Sequence, residues 1–154
     1  MYYLVYTSAV LAYPAEPELQ LLLNYYLNKI NKLPVSGLLL YLNGHFIHVL
    51  EGDKEMVWNL YQDIQKDKIN QAQKFILLME GDLAERNFTG WHMGYKTQEM
   101  KNQPGFINLQ QVKLTFTEEN SADHPSVLLL QRFYNQLKNP NKFIWANAKY
   151  FMLY

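Results

Sequence analysis

His48 is the residue whose type and place most invite chemistry. It sits in Phe46-Ile47-His48-Val49-Leu50-Glu51-Gly52, and with the two-residue period of a strand Phe46, His48 and Leu50 share one face while His45, Ile47 and Val49 share the other. An imidazole carried onto an apolar face must find hydrogen-bond partners there, either as a buried structural group or as the edge of a site. A metal centre built with the nearest histidine is not expected, because His45 points to the opposite face and ligands must converge on one point. Glu51 and Asp53 flank Gly52 like a carboxylate pair, yet acidic residues at a helix start serve capping and the helix dipole. Gly37 and Gly52 lie outside any glycine-rich run carrying Lys and Ser or Thr, so no phosphate loop is read. With no nucleophile, base and acid in one pattern, a conventional enzyme is not expected.

The elements that must hold His48 follow from the pattern around it. Asn43-Gly44 suits a two-residue type I′ turn, whose central residues need positive φ, and it joins strand-like segments at 35–42 and 46–51. Residues 2–8 read as a first strand. Tyr13-Pro14 through Pro17 opens a helix in which Leu19, Leu22, Leu23, Tyr26, Leu27 and Ile30 recur at helical spacing. Asp53 is a fair N-cap for a second helix, with Met56, Val57, Leu60, Tyr61 and Ile64 on its buried stripe. Residues 75–79 read as a buried strand and 89–95 as a short last one. The order β-α-β-β-α-β-β predicts a ferredoxin-like α+β fold, an antiparallel sheet with two helices on one face.

The other face of that sheet then needs a cover. The polar segment at about 97–120, with Pro104-Gly105, reads as a linker or irregular stretch. Residues 125–137 and 140–154 read as two helices able to cover the bare face or a neighbouring subunit. The expected division is a domain at 1–96 and a linker with a C-terminal helical extension at 97–154.

Composition narrows the function classes. The 154 residues allow one domain of ordinary size with a real core. Fourteen Lys and Arg balance fourteen Asp and Glu, so no net field favours nucleic acid or an anionic membrane surface. The lack of cysteine removes disulfides, thiolate zinc sites and a cysteine nucleophile, and fits a cytoplasmic protein. No segment has the length of a membrane span, and the N-terminus lacks the pattern of an export signal. Twelve Tyr in a chain that is 15% aromatic supply area for interfaces as well as for a core, which favours homo-oligomerisation.

Four segments carry a resemblance to a known family. Leu4-Val-Tyr6-Thr-Ser8, Ser36-Gly37-Leu-Leu-Leu-Tyr41, Phe46-Ile-His48-Val-Leu50-Glu51-Gly52 and Arg86-Asn-Phe88-Thr-Gly-Trp91-His-Met93-Gly94 resemble, in order and register over about 1–96, the BLUF domains that sense blue light with a flavin. The tail of two helices resembles that of short single-domain members, which assemble into homo-oligomers. The resemblance implies a flavin, usually FAD, between the two helices. It implies an electron-donating tyrosine at Tyr6, and last-strand residues at Trp91 and Met93 that relay the change toward the C-terminal helices or a protein partner.

Three positions depart from the family pattern. His48 stands where the family has a glutamine, whose amide can exchange acceptor for donor toward the flavin carbonyl; an imidazole has no carbonyl with which to do so. The family's Asn-Asn pair falls on Lys29 and Ile30, with Asn28 or Asn31 as substitutes if the helix is rotated or the loop shortened. The Arg-His pair that follows the second helix falls on Ile69 and Asn70, with Lys68 as a partial substitute for a phosphate-holding cation. The resulting expectation is a flavin-binding light-signalling module whose photochemistry is altered or lost at His48. The alternative is a flavin-free protein-interaction module on the same fold, its cleft filled by side chains such as Tyr26 and Leu27.

Overall fold

The hairpin read around Asn43-Gly44 lies in the middle of the sheet. In the computed structural model, which describes residues 1–10, 16–42, 45–67, 72–88, 90–94, 106–107 and 124–138, β2 (Ser36–Leu42) pairs antiparallel with β3 (His45–Gly52). The turn itself lies outside the described residues. β3 also pairs antiparallel with β1 (Tyr2–Val10), which sets Tyr6 directly opposite His48. β1 in turn pairs antiparallel with β4 (Ala72–Asp82).

Two short strands extend the sheet in a way the pattern did not suggest. β5 (Trp91–Gly94) joins β2 in parallel, and β6 (Phe106–Ile107), within the segment read as a linker, joins β5 in parallel. The order across the sheet is β4-β1-β3-β2-β5-β6. β4 therefore sits at an edge, away from the middle of the sheet where the helices pack. Its Phe75 and Met79 are only half-buried and Leu77 is 38% exposed, so the fully buried run expected at 75–79 is instead an edge strand.

Both expected helices form. α1 (Glu16–Ile30) buries Leu22, Tyr26 and Ile30, and α2 (Lys54–Lys66) buries Val57, Leu60, Tyr61 and Ile64, with Met56 half-buried. The Asp53 carboxylate caps α2 by accepting from the backbone N–H groups of Glu55 at 3.0 Å and Met56 at 3.3 Å. These helices cover the sheet face carrying Tyr6, Leu39 and Leu50, which completes the ferredoxin-like α+β arrangement.

The opposite face, with Val5, Leu38, Leu40, Ile47 and Val49, is covered by α3 (Pro125–Lys138) through Val127, Leu129, Leu130 and Phe133. Each such side chain taken from water stabilises the fold by about 1.5–3 kcal/mol. The helix read at 140–154 lies outside the described residues. Among them, no helix is long and apolar enough to cross a membrane. Gly37 permits the tight approach of β2 to β3: its φ is +155°, and a Cβ there would collide with the Val49 carbonyl oxygen.

Candidate functional site

Strand pairing brings three of the singled-out residues into one hydrogen-bonded row. Tyr6 on β1 and His48 on β3 are cross-strand partners, and the Tyr6 hydroxyl oxygen lies 2.9 Å from His48 Nδ1. From the far side, on β5, the Trp91 indole N–H donates to His48 Nε2 at 2.8 Å. All three side chains are buried, with 2%, 2% and 4% exposure. His48 is thus held on both ring nitrogens, as a buried imidazole requires.

The surroundings keep the row uncharged. Burial pushes the His48 imidazole down to about 3, so it is neutral near pH 7. Burial first, then the neighbouring Tyr26 and Tyr61, raises the Tyr6 phenol well above its ordinary range, so Tyr6 keeps its proton. The Tyr6 ring packs against Tyr61 at 4.8 Å and Phe75 at 5.8 Å between centroids.

A cavity opens beside this row, between α1 and α2 over the sheet. Its wall is formed by Tyr6, Ser8, Leu22, Tyr26, Leu39, Phe46, His48 and Ile64. The interior is narrow, since a water molecule could be centred in only about 20 Å³ of it. Apolar and aromatic walls with a few polar groups suit the edge of a planar heteroaromatic ring such as flavin, and the interior is far smaller than the roughly 300–1,000 Å³ of ligand pockets.

Of the other residues singled out from the sequence, Asn28, Ile30 and Asn31 are not at this cavity. Asn28 and Asn31 are exposed at the end of α1 and just beyond it, and Ile30 is fully buried in the core. None of the three is among the lining residues. Lys68 and Ile69 lie outside the described residues. Met93 is placed on β5 opposite Leu39 of β2. The cavity walls from Leu22, Tyr26 and Ile64 were visible in the sequence only as helix stripes, and nothing in a stripe separates a core contact from a cavity wall.

A second polar cluster surrounds Glu51. Its carboxylate is fully buried and accepts from Asn87 Nδ2 at 2.6 Å, from the backbone N–H groups of Asn87 at 2.9 Å and Phe88 at 3.2 Å, and from the Ser36 hydroxyl at 3.5 Å. Arg86 lies alongside, donating to Ser36 Oγ at 2.8 Å, to the Pro34 carbonyl at 2.8 Å and to the Glu51 carbonyl at 3.1 Å. Burial raises the Glu51 carboxyl, while these N–H donors and the Arg86 charge pull it back. This cluster fastens the loop before β5, and so helps to place Trp91.

The split βαβ sheet, the interhelical cavity and the tyrosine on its wall define a small α+β module with a site between its helices. The chain belongs to the BLUF family: the sequence profile described as "Sensors of blue-light using FAD" matches residues 1–94. Solved structures agree. A bacterial light-regulated adenylyl cyclase is 26% identical with a TM-score of 0.54, the match covering 93% of this chain and 36% of that one. Klebsiella pneumoniae BlrP1, in a structure with FMN and cyclic diGMP, is 23% identical with a TM-score of 0.64, over 87% of this chain and 34% of that one. The BlrP1 BLUF domain alone is 22% identical with a TM-score of 0.63, over 92% of this chain and 93% of that one. This chain thus spans about a third of the length of the larger proteins. No curated protein sequence matches it.

Proposed function

We propose that this chain is a blue-light signalling module in which flavin enters the cavity between α1 and α2, Tyr6 and His48 stand on its wall, and Trp91 and Met93 pass the change on. A bound flavin supplies blue-light absorption and an electron acceptor. Tyr6 borders the ring edge, His48 orients Tyr6, and Trp91 ties both to β5, the strand that leads toward the C-terminal segment. The observation that carries this reading is the continuous row from Trp91 through His48 to Tyr6 on the cavity wall. Because His48 replaces the glutamine whose amide exchanges its roles, the light response differs from the family's usual shift or is lost.

The same reading makes 1–96 the sensor and 97–154 its output, in a cytoplasmic homo-oligomer that passes its state to a protein partner rather than catalysing a reaction itself. The enzyme parts of the larger light-regulated proteins would then correspond to separate effectors. Asn28, Asn31 and Lys68 remain the candidates for the parts of FAD beyond the ring.

The test is the visible spectrum of the purified protein, with and without added FAD, before and after blue illumination. Flavin bands that shift and recover in the dark support the sensor. Bands that stay fixed keep the cofactor and remove the switch. No bands after reconstitution would replace this reading with a flavin-free interaction module, which the narrow cavity, walled in part by Tyr26, favours.

A further inference from the structure

The direction of the three hydrogen bonds follows from one residue. An indole N–H can only donate, so the Trp91 bond at 2.8 Å requires a bare Nε2 on His48. A neutral imidazole carries one proton, which is then on Nδ1. At 2.9 Å that Nδ1–H donates to the Tyr6 oxygen. The Tyr6 hydroxyl hydrogen cannot also point back at Nδ1. No other acceptor for it is found among the described residues, and Tyr6 lines the cavity.

We propose that Trp91 locks His48 as its Nδ1–H tautomer, making the row one-way from Trp91 to His48 to Tyr6 and on into the cavity. The cavity then presents a phenolic O–H donor and selects a planar heteroaromatic ligand with a carbonyl oxygen or bare ring nitrogen at that edge, not an N–H. The lock also defines what switching requires. A glutamine in the middle of such a row reverses by rotating or tautomerising, but here the Trp91 end has no acceptor form. The row reverses only when the indole leaves Nε2. Low affinity of His48 for a second proton agrees with this, since an imidazolium would set two N–H groups head to head with Trp91. The lock is independent of the cofactor; only the identity of the acceptor rests on the flavin reading above.

The test is nitrogen NMR of protein labelled in histidine and tryptophan, without flavin and with FAD. At pH 7 His48 is expected to show a protonated Nδ1, a bare Nε2 and a coupling across the bond from Trp91 Nε1. A protonated Nε2, a doubly protonated ring or absence of that coupling overturns the lock, and the coupling needs no variant. In Trp91→Phe the Nε2–H form should appear as a second population; a pure Nδ1–H ring there shows that Trp91 is not what sets it. Titration with FAD should find Tyr6→Phe roughly 2- to 10-fold weaker than the unaltered protein, the loss of one hydrogen bond. Equal affinity overturns the donor role of Tyr6. If the unaltered protein takes up no FAD, the flavin reading fails, and the histidine spectrum still decides the lock.

Discussion

β3 carries one buried polar residue on each of its faces, and the two are satisfied in opposite ways. Glu51, on the side of Ile47 and Val49, is an end point: four donors converge on its carboxylate and Arg86 lies alongside. His48, on the side of Tyr6 and Trp91, is a relay: it takes one bond and gives one, and the last donor in the row is left at a cavity. A cluster in which every donor and acceptor is matched holds the chain rigidly. A row with a donor left over is complete only when a water or a ligand in the cavity accepts it. The difference supports the proposed division between a structural Glu51 and a functional His48.

Breaking the end point should cost the most. Glu51→Ala strands the N–H groups of Asn87 and Phe88, and should lower stability by about 2–4 kcal/mol. Glu51→Gln should lose about 1 kcal/mol or less. Its carbonyl can take the three donors now on Oε2, and the Asn87 amide can turn its oxygen toward the new NH2 group. Urea unfolding of both variants checks this. If Ala and Gln lose the same amount, the carboxylate is not the convergence point described.

The relay should reveal itself through pH. His48 titrates near 6.5 when unfolded and at about 3 when folded, because burial disfavours its charged form. Between those values the unfolded chain takes up a proton that the fold refuses. Stability should therefore fall as pH drops below about 6.5, by about 1.4 kcal/mol per pH unit, and the loss should level off below about 3. Glu51 acts with the opposite sign: its raised folded value adds stability as pH falls through it. Glu51 is present in both the unaltered protein and His48→Gln, so the difference between them isolates His48. At pH 5 the unaltered protein should have lost about 2 kcal/mol more, relative to pH 7, than His48→Gln. Parallel losses would show that the imidazole is charged or solvated in the folded protein.

Much of this arrangement was legible in the sequence because it depends on periodicity. The alternation of Phe46, His48 and Leu50 against Ile47 and Val49 gave the two faces of β3, and Asp53 marked the start of α2. The partners of the buried polar residues were less legible. Trp91 reaches His48 only because β5 joins β2 in parallel, a pairing made by residues 37–40 and 91–94 that no local pattern announces. Asn87 meets Glu51 by chain return across 36 residues, and Arg86 spends its N–H groups on Ser36 and two carbonyls. The cavity was illegible for another reason: it depends on how far Leu22, Tyr26 and Ile64 stand apart, which helix spacing does not encode.

The smallest effect asks whether the two polar systems act independently. Arg86→Lys keeps the charge but loses the planar fork that reaches Ser36 Oγ and the Pro34 and Glu51 carbonyls together. Arg86 is exposed and water can replace part of what is lost, so the expected cost is about 1 kcal/mol, read as a shifted urea midpoint at unchanged slope. His48 and Glu51 are three residues apart on β3, roughly 10 Å along the strand, and face opposite sides of the sheet. The costs of Arg86→Lys and His48→Gln should therefore add to within about 0.5 kcal/mol. A larger coupling would mean that the loop held by Arg86 sets the position of Trp91 closely enough to strain its bond to His48. The structural cluster would then be part of the switch, and the division between the two faces of β3 would fail at the one place where they share a loop.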